Sequence, residues 1–314
     1  MNDPPAAAPE SHEREYSLID EGSPLKDISD TAFWAAAYRA TENKRSDALF
    51  CDPYAQRLAG PRGNLIAEAL PEATRHAWVI VVRTHLIDRY IVESLDRGVD
   101  MVVNIAAGLD ARPYRMDLPE HLRWVEVDLP GLIAYKEQIL RNEKPVCSLE
   151  RIGMDLSNEA ARRDLFQKIG GKAQRAVVVT EGLLIYLTPE EASALARDLV
   201  LPGSFRTWIF DLHLPGLVRL LQQRVGTSLD QARAPLRFTA NGGPGFFVPC
   251  GWPMASASSM LDTAARTKRL PPEWSQPARN PDIAGTETPT SHPATSSRFR
   301  SRRIDGFVCS STRP

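Results

Sequence analysis

The chain has 314 residues, 43% of them hydrophobic, enough for one large or two modest domains with a substantial core. Lys and Arg number 38 against 39 Asp and Glu, a formal net charge of −1, so no bulk positive field is present to hold a nucleic-acid backbone. The longest apolar runs, such as Ala77 to Val82 and Ala176 to Thr180, are far shorter than the ~20 residues a membrane span needs, so neither nucleic acid nor membrane is expected as a partner.

Met1 to Glu15 carries Pro, Ala and acidic residues where a signal peptide would have a basic start and an apolar block, which predicts a cytoplasmic protein. Cys51, Cys147, Cys250 and Cys309 lie far apart without a CxxC pair, so neither a metal site nor a disulfide framework is expected.

Residues 1–28 lack periodicity and read as a disordered leader. From Ser29 the pattern is helical. Ser29 or Asp30 is placed to cap a run in which Phe33, Ala36, Ala37 and Ala40 recur at helix spacing. A second long helix fits Ala77 to Arg97 and stops at Gly98, so residues 29–98 read as an N-terminal helical lid.

After Gly98, short β-branched runs alternate with helical stretches, the pattern of successive βα units in a parallel sheet. Strands are predicted at Met101 to Ile105, Arg123 to Val127, Leu149 to Ile152, Ala176 to Thr180 and Phe205 to Leu212. Thr188, Pro189 and Glu191 form a capping box that starts a helix. The fold class expected for residues 99–270 is therefore α/β, a doubly wound, mostly parallel, Rossmann-like sheet. Residues 271–314 are rich in Pro, Ser, Thr and Arg and read as a largely disordered tail, with a terminal strand expected only over Ile304 to Ser310.

The chemistry centres on VVNIAAGLDARPYR, Val102 to Arg115, and WVEVDLP, Trp124 to Pro130. A strand ending in Ala106, Ala107 and Gly108 lets a ligand approach backbone at the carboxyl edge of the sheet. Asp128 follows at the end of the next strand, where a carboxylate accepts hydrogen bonds from both hydroxyls of a ribose. Together they describe a site for an adenosine-bearing cofactor. A dinucleotide would call for GxGxxG to seat its pyrophosphate; AAGLDARP lacks those glycines and has Pro113 at the helix start. S-adenosylmethionine carries no phosphate and needs only the small-residue loop and the ribose acid.

Seven blocks in order, TAFWAAAYRATE, LFCDPYAQRLAG, RTHLIDRY, NIAAGLDARPYR, WVEVDLP, MDL and TEGLLIYLTPEE, make the chain resemble the class I S-adenosylmethionine-dependent methyltransferases of the leucine carboxyl methyltransferase type, over roughly Thr31 to Pro271. The resemblance implies that Arg83 grips the methionine carboxylate and that Ala106 and Gly108 face the cofactor backbone. It further implies that Asp128 takes the ribose, that Asp155 and Leu156 flank the adenine and that Glu181 lies beside the methionine moiety. By chemistry alone, Asp155 and Glu181 serve equally well as local caps or pairing groups, and Asp110 with Arg112 reads as an ion pair shaping the loop.

The implied activity is methyl transfer from S-adenosylmethionine to oxygen on a small-molecule or carboxylate acceptor. The leaving group is a neutral thioether, so no acid has to protonate it and positioning supplies most of the rate. A carboxylate acceptor needs no base; a hydroxyl does, and His213 and His85 are the candidates, with no catalytic residue assigned. An NAD-dependent oxidoreductase and a non-catalytic cofactor-binding relative are the competing readings, whereas the absence of GxSxG disfavours a hydrolase. No motif encodes the acceptor or the oligomeric state, because acceptor pockets are built from variable helices and loops. The sequence departs from the family at Ala106, where many members carry glycine, and in the tail, where the family's closing antiparallel hairpin is not evident.

Overall fold

The computed structural model describes residues 24–70, 77–239, 243–272 and 305–313. The expected leader up to residue 23 and the tail from 273 to 304 lie outside the described residues.

Among the described residues, three helices come first: α1 (Asp30–Glu42), α2 (Ala55–Ala69) and α3 (Ala77–Leu95). The α/β portion follows with β1 (Met101–Ile105), a single turn α4 (Arg112–Arg115), β2 (Arg123–Asp128), α5 (Pro130–Leu140), β3 (Ser148–Gly153), α6 (Glu159–Gly170) and β4 (Ala176–Thr180). Next come α7 (Pro189–Val200), β5 (Phe205–His213), α8 (Pro215–Gln231), β6 (Met254–Ser259), α9 (Met260–Arg266) and β7 (Gly306–Thr312). Among the described residues no helix is long and apolar enough to cross a membrane.

The strands form one seven-stranded sheet in the order β3-β2-β1-β4-β5-β7-β6. β1 to β5 are parallel, with β1 between β2 and β4; β7 runs antiparallel to both β5 and β6. The chain thus winds outward from β1 in both directions, and the switch between β1 and β4 leaves a crevice above their carboxyl ends.

Every residue of β1 and β4 is buried, because helices cover both faces of the sheet. Alternate side chains divide between two cores. Val103, Ile105, Val125, Val178 and Trp208 pack with Phe166 of α6 and Leu195 of α7. Val102, Trp124, Val177 and Ile209 pack with Trp78, Val82 and Leu86 of α3 and Met260 of α9. Helix α3 is therefore a layer of the sheet domain, whereas α1 and α2 join α8 in a third cluster through Phe33, Leu58, Val225 and Leu229. The apolar face of α3 is too broad for a surface flap: Val79, Val81, Val82, Leu86, Ile87 and Ile91 are all buried.

Thr188 Oγ1 accepts from Glu191 N at 3.1 Å and Glu191 Oε2 accepts from Thr188 N at 2.7 Å, the reciprocal box that starts α7. The start of α1 differs from its sequence expectation. Ser29 makes no side-chain cap, and the Asp30 carboxylate accepts from Arg62 Nε at 2.9 Å and Arg62 Nη2 at 2.6 Å. A guanidinium from α2 thus claims the carboxylate, locking the two helices together. The sheet edge is closed by β7, paired from Gly306 to Thr312 with β5, and by β6, whose MASASS sequence gave no strand signal.

Candidate functional site

A cavity of about 530 Å³ opens above the carboxyl ends of the parallel strands, roofed by α1 and flanked by α8. Arg83, Ala106, Gly108, Asp128, Asp155, Leu156 and Glu181 all line it. Residues drawn from across about one hundred positions of sequence meet here because β1, β2, β3 and β4 end, and α3 begins, at this edge.

The loop after β1 is bent sharply: Ala106 has φ +54° and Gly108 φ +51°. A Cβ on Gly108 would stand 3.4 Å from Ala32 Cβ of α1, so the loop lies directly beneath that helix. Asp128, buried at the end of β2, fixes the loop from the other side. Its Oδ2 accepts from Gly108 N at 2.6 Å and its Oδ1 from Leu129 N at 2.7 Å. Burial pushes the Asp128 carboxyl above its ordinary value, against the stabilising pull of those two backbone N–H groups. Each carboxylate oxygen retains acceptor capacity beyond its one backbone bond.

Behind the loop lies a network of buried charge centred on Arg112, which is only 1% exposed. Its Nε donates to Asp88 Oδ1 at 2.6 Å, and its Nη1 donates to Asp110 Oδ2 at 2.8 Å and Glu181 Oε2 at 2.7 Å. Asp110 also accepts from Asn104 Nδ2 at 2.7 Å and from the backbone of Arg112 at 2.8 Å, so the expected Asp110–Arg112 pair is one part of a larger assembly. Glu181, just past β4, accepts at Oε1 from Arg83 Nε at 3.1 Å and Thr84 Oγ1 at 3.2 Å. Burial opposes its charge, but Arg112 and Arg83 prevail and hold the carboxyl down at about 2.

Arg83 extends from α3 to Glu181 and, through Nη1 at 3.3 Å, to Asp211 in β5. Its guanidinium lies against the backbone of Gly182 (φ +67°), where a Cβ would come within 3.0 Å of Nη1. Asp211 Oδ1 in turn accepts from Gly182 N at 2.7 Å. Asp155 is exposed and accepts from Ser157 N at 2.9 Å, while the carbonyl of neighbouring Leu156 accepts from Arg162 Nη1 at 2.9 Å. The Asp155 carboxyl is therefore both a local turn former and part of the cavity wall.

Of the two histidines, His213 lines the cavity and is buried; His85 lies outside the lining. Burial drives the His213 imidazole down to about 4, with Asp211 working against the shift and Arg83 for it. Sequence reasoning missed Asp211, although an acid inside the apolar strand WIFDLH was a usable signal, since a charge is not placed in a central strand without partners. It also missed the central place of Arg112, whose partners are spread from Asp88 to Glu181 and show no local pattern.

The sequence profile of the family described as leucine carboxyl methyltransferase matches residues 32–200, more than half of the chain, and the chain belongs to that family. Among its relatives, a Streptomyces coelicolor protein named as a putative S-adenosyl-L-methionine-dependent methyltransferase is 39% identical over 178 residues, covering 52% of this chain and 61% of its own. A Mycobacteroides abscessus protein of the same description is 34% identical over 189 residues, with coverage of 55% and 61%. The chain thus spans less than two thirds of the length of these relatives. In fold it is similar to a DUF574 family protein from Streptomyces avermitilis, with a TM-score of 0.52 at 13% identity over 89% of this chain and 97% of that one. It is also similar to a putative methyltransferase from Thermobifida fusca, with a TM-score of 0.51 at 11% identity over 92% and 96%.

Proposed function

We propose that the chain is an S-adenosylmethionine-dependent methyltransferase that methylates oxygen on a small-molecule acceptor. The observation that carries this reading is the Asp128 carboxylate, held by the Gly108 and Leu129 N–H groups at the carboxyl end of β2 and lining the cavity. A carboxylate fixed in this way suits a ribose diol. The loop beside it has no glycine-rich turn for a pyrophosphate, which favours this cofactor over NAD.

The residues present fit the cofactor. Asp128 takes the ribose, and the left-handed backbone at Ala106 and Gly108 brings the loop close to the methionine portion. Arg83 offers its guanidinium to the methionine carboxylate, with Glu181 and Asp211 holding it in place. Asp155 and Leu156 flank the adenine at the far end of the cavity. Helices α1 and α2 act as the lid over this site, and α3 belongs to the cofactor-binding unit. When bound, the cofactor supplies an electrophilic methyl group on a sulfonium sulfur. The chain orients the two reactants and excludes water, which is where most of the acceleration of such a displacement arises.

Equilibrium dialysis of the full chain against methyl-labelled S-adenosylmethionine tests the reading. Saturable retention of the label, displaced by S-adenosylhomocysteine and unaffected by NAD, is expected. Retention of NAD with none of the labelled compound would overturn it.

A further inference from the structure

Asn104 of β1 is 2% exposed and lines the cavity, and its Oδ1 has no hydrogen-bond partner among the described residues. A buried acceptor left in this way costs free energy. The rest of β1, Met101, Val102, Val103 and Ile105, is apolar, so the strand itself has no use for an amide at this position.

The direction of that amide is fixed. Asn104 Nδ2 donates to Asp110 Oδ2 at 2.7 Å. Burial opposes the charge of Asp110, but Arg112 beside it holds the carboxyl well below its usual range, so Asp110 only accepts. Turning the amide over would set oxygen against oxygen, which leaves Oδ1 as the atom available to another donor.

The surroundings suit a cationic donor. Asp110 and Glu181 share Arg112 Nη1, at 2.8 Å and 2.7 Å, and Glu181 Oε1 accepts from Arg83 Nε at 3.1 Å. Hydrogen bonds therefore run without a break from Asn104 through Asp110, Arg112 and Glu181 to Arg83. The ion pairs of this assembly hold one carboxylate more than guanidiniums: Asp88, Asp110, Glu181 and Asp211 against Arg83, Arg112 and Arg115. The adjoining Arg39–Asp52 pair adds one of each. An amino acid whose carboxylate rests on Arg83 carries its ammonium two bonds from the carboxyl carbon, which brings a positive charge with three N–H donors to this group of acceptors.

Resting on the methyltransferase reading, we infer that Asn104 is a further cofactor-binding residue whose Oδ1 accepts from the α-ammonium of the methionine portion, with Asp110 a positioning residue that holds the amide in its accepting orientation. Arg83 and Asn104 then grip the amino-acid end at two points. A two-point hold limits rotation of the chain that carries the sulfur, and so helps to aim the methyl group.

Calorimetry on the full chain tests the inference with S-adenosylhomocysteine and with its analogue in which hydrogen replaces the α-amino group. The unaltered chain should bind S-adenosylhomocysteine at least about ten-fold more tightly than the analogue, as expected of hydrogen bonds from a charged donor. Asn104→Leu should weaken S-adenosylhomocysteine by about ten-fold and move the analogue by no more than about two-fold, so that the preference collapses. Asn104→Ser withdraws the same oxygen without adding bulk to the strand and should act in the same direction; the comparison is read on each variant that keeps the far-ultraviolet circular dichroism of the unaltered chain. Asp110→Asn, which supplies a donor and lets the amide turn over, should lower the preference too. Equal affinity of the unaltered chain for the two ligands, an unchanged preference in the Asn104 variants, or an equal loss for both ligands would overturn the inference while the proposed activity stood. Failure of S-adenosylhomocysteine itself to bind would overturn the underlying reading instead.

Discussion

Asp128 Oδ2 accepts the backbone N–H of Gly108 at 2.6 Å, so the acid at the end of β2 is also the strut that shapes the loop after β1. With the proposed ribose role, binding and stability are coupled at one carboxylate. Asp128→Ala strands two backbone N–H groups and is expected to cost about 1–3 kcal/mol of folding free energy, in addition to weakening S-adenosylhomocysteine by a similar amount. Urea unfolding and calorimetry on the same variant measure both; loss of affinity with unchanged stability would show that the strut carries no load.

Ala106 adopts φ +54°, where an L-residue pays about 1–2 kcal/mol and glycine pays nothing for the same geometry. Ala106→Gly returns about 0.5–1 kcal/mol of this through the greater freedom of the unfolded chain. The expected outcome is a net gain of about 0.5 kcal/mol, read as a small rise in Tm. A fall in Tm would place the methyl group in a packing role that outweighs the backbone strain.

Arg112 meets Asp88, Asp110 and Glu181 at once, a geometry that uses the planar fork of a guanidinium. Arg112→Lys supplies the charge without the fork, and Arg112→Met leaves three carboxylates without their shared cation. Removing one partner of a buried pair costs about 3–5 kcal/mol, so the Met variant is expected to unfold at much lower urea concentration than the Lys variant. Equal midpoints for the two variants would contradict a charge-based role.

The pH dependence has two opposing contributions. Glu181 is held down at about 2 despite its burial, so its stabilisation is complete above its ordinary value of 4.5 and is lost as pH falls through 2. Asp305, which accepts from Ser259 Oγ, Leu261 N and Gly306 N at the start of β7, is pushed by burial up to about 6. Its contribution is complete below 3.8 and declines as pH rises to about 6, an effect on the order of 3 kcal/mol. Asp305→Asn keeps a neutral hydrogen-bonding group there and should flatten the unfolding free energy between pH 4 and 6 relative to the unaltered chain. Parallel pH profiles for the two proteins would refute the assignment.

The parts of this molecule that were legible in the sequence are those whose cause is local. β1, β2, β4 and β5 announce themselves as β-branched runs because both sheet faces are covered, and the Thr188 capping box is complete within four residues. β6 did not, because its small residues are strand only through pairing with β7 across a long stretch of chain. Helix α2 was hidden by Gly60, which has φ +55° inside it, and by the Pro61 that restarts it. In the site, Gly108 and Asp128 are two ends of a short motif and could be read together. The Arg112 network and the meeting of Arg83 with Asp211 depend on tertiary placement of α3 against β5, which no spacing in the sequence records.

The proposed role of Asp128 and the Gly108 loop is to hold an adenosyl cofactor without a pyrophosphate. Calorimetry of the full chain with S-adenosylhomocysteine and with NAD, repeated on Asp128→Asn, tests it most directly. One-site binding of S-adenosylhomocysteine, weakened about ten-fold or more in the variant, with no heat from NAD, is the predicted result. Saturable NAD binding without any response to S-adenosylhomocysteine would contradict it.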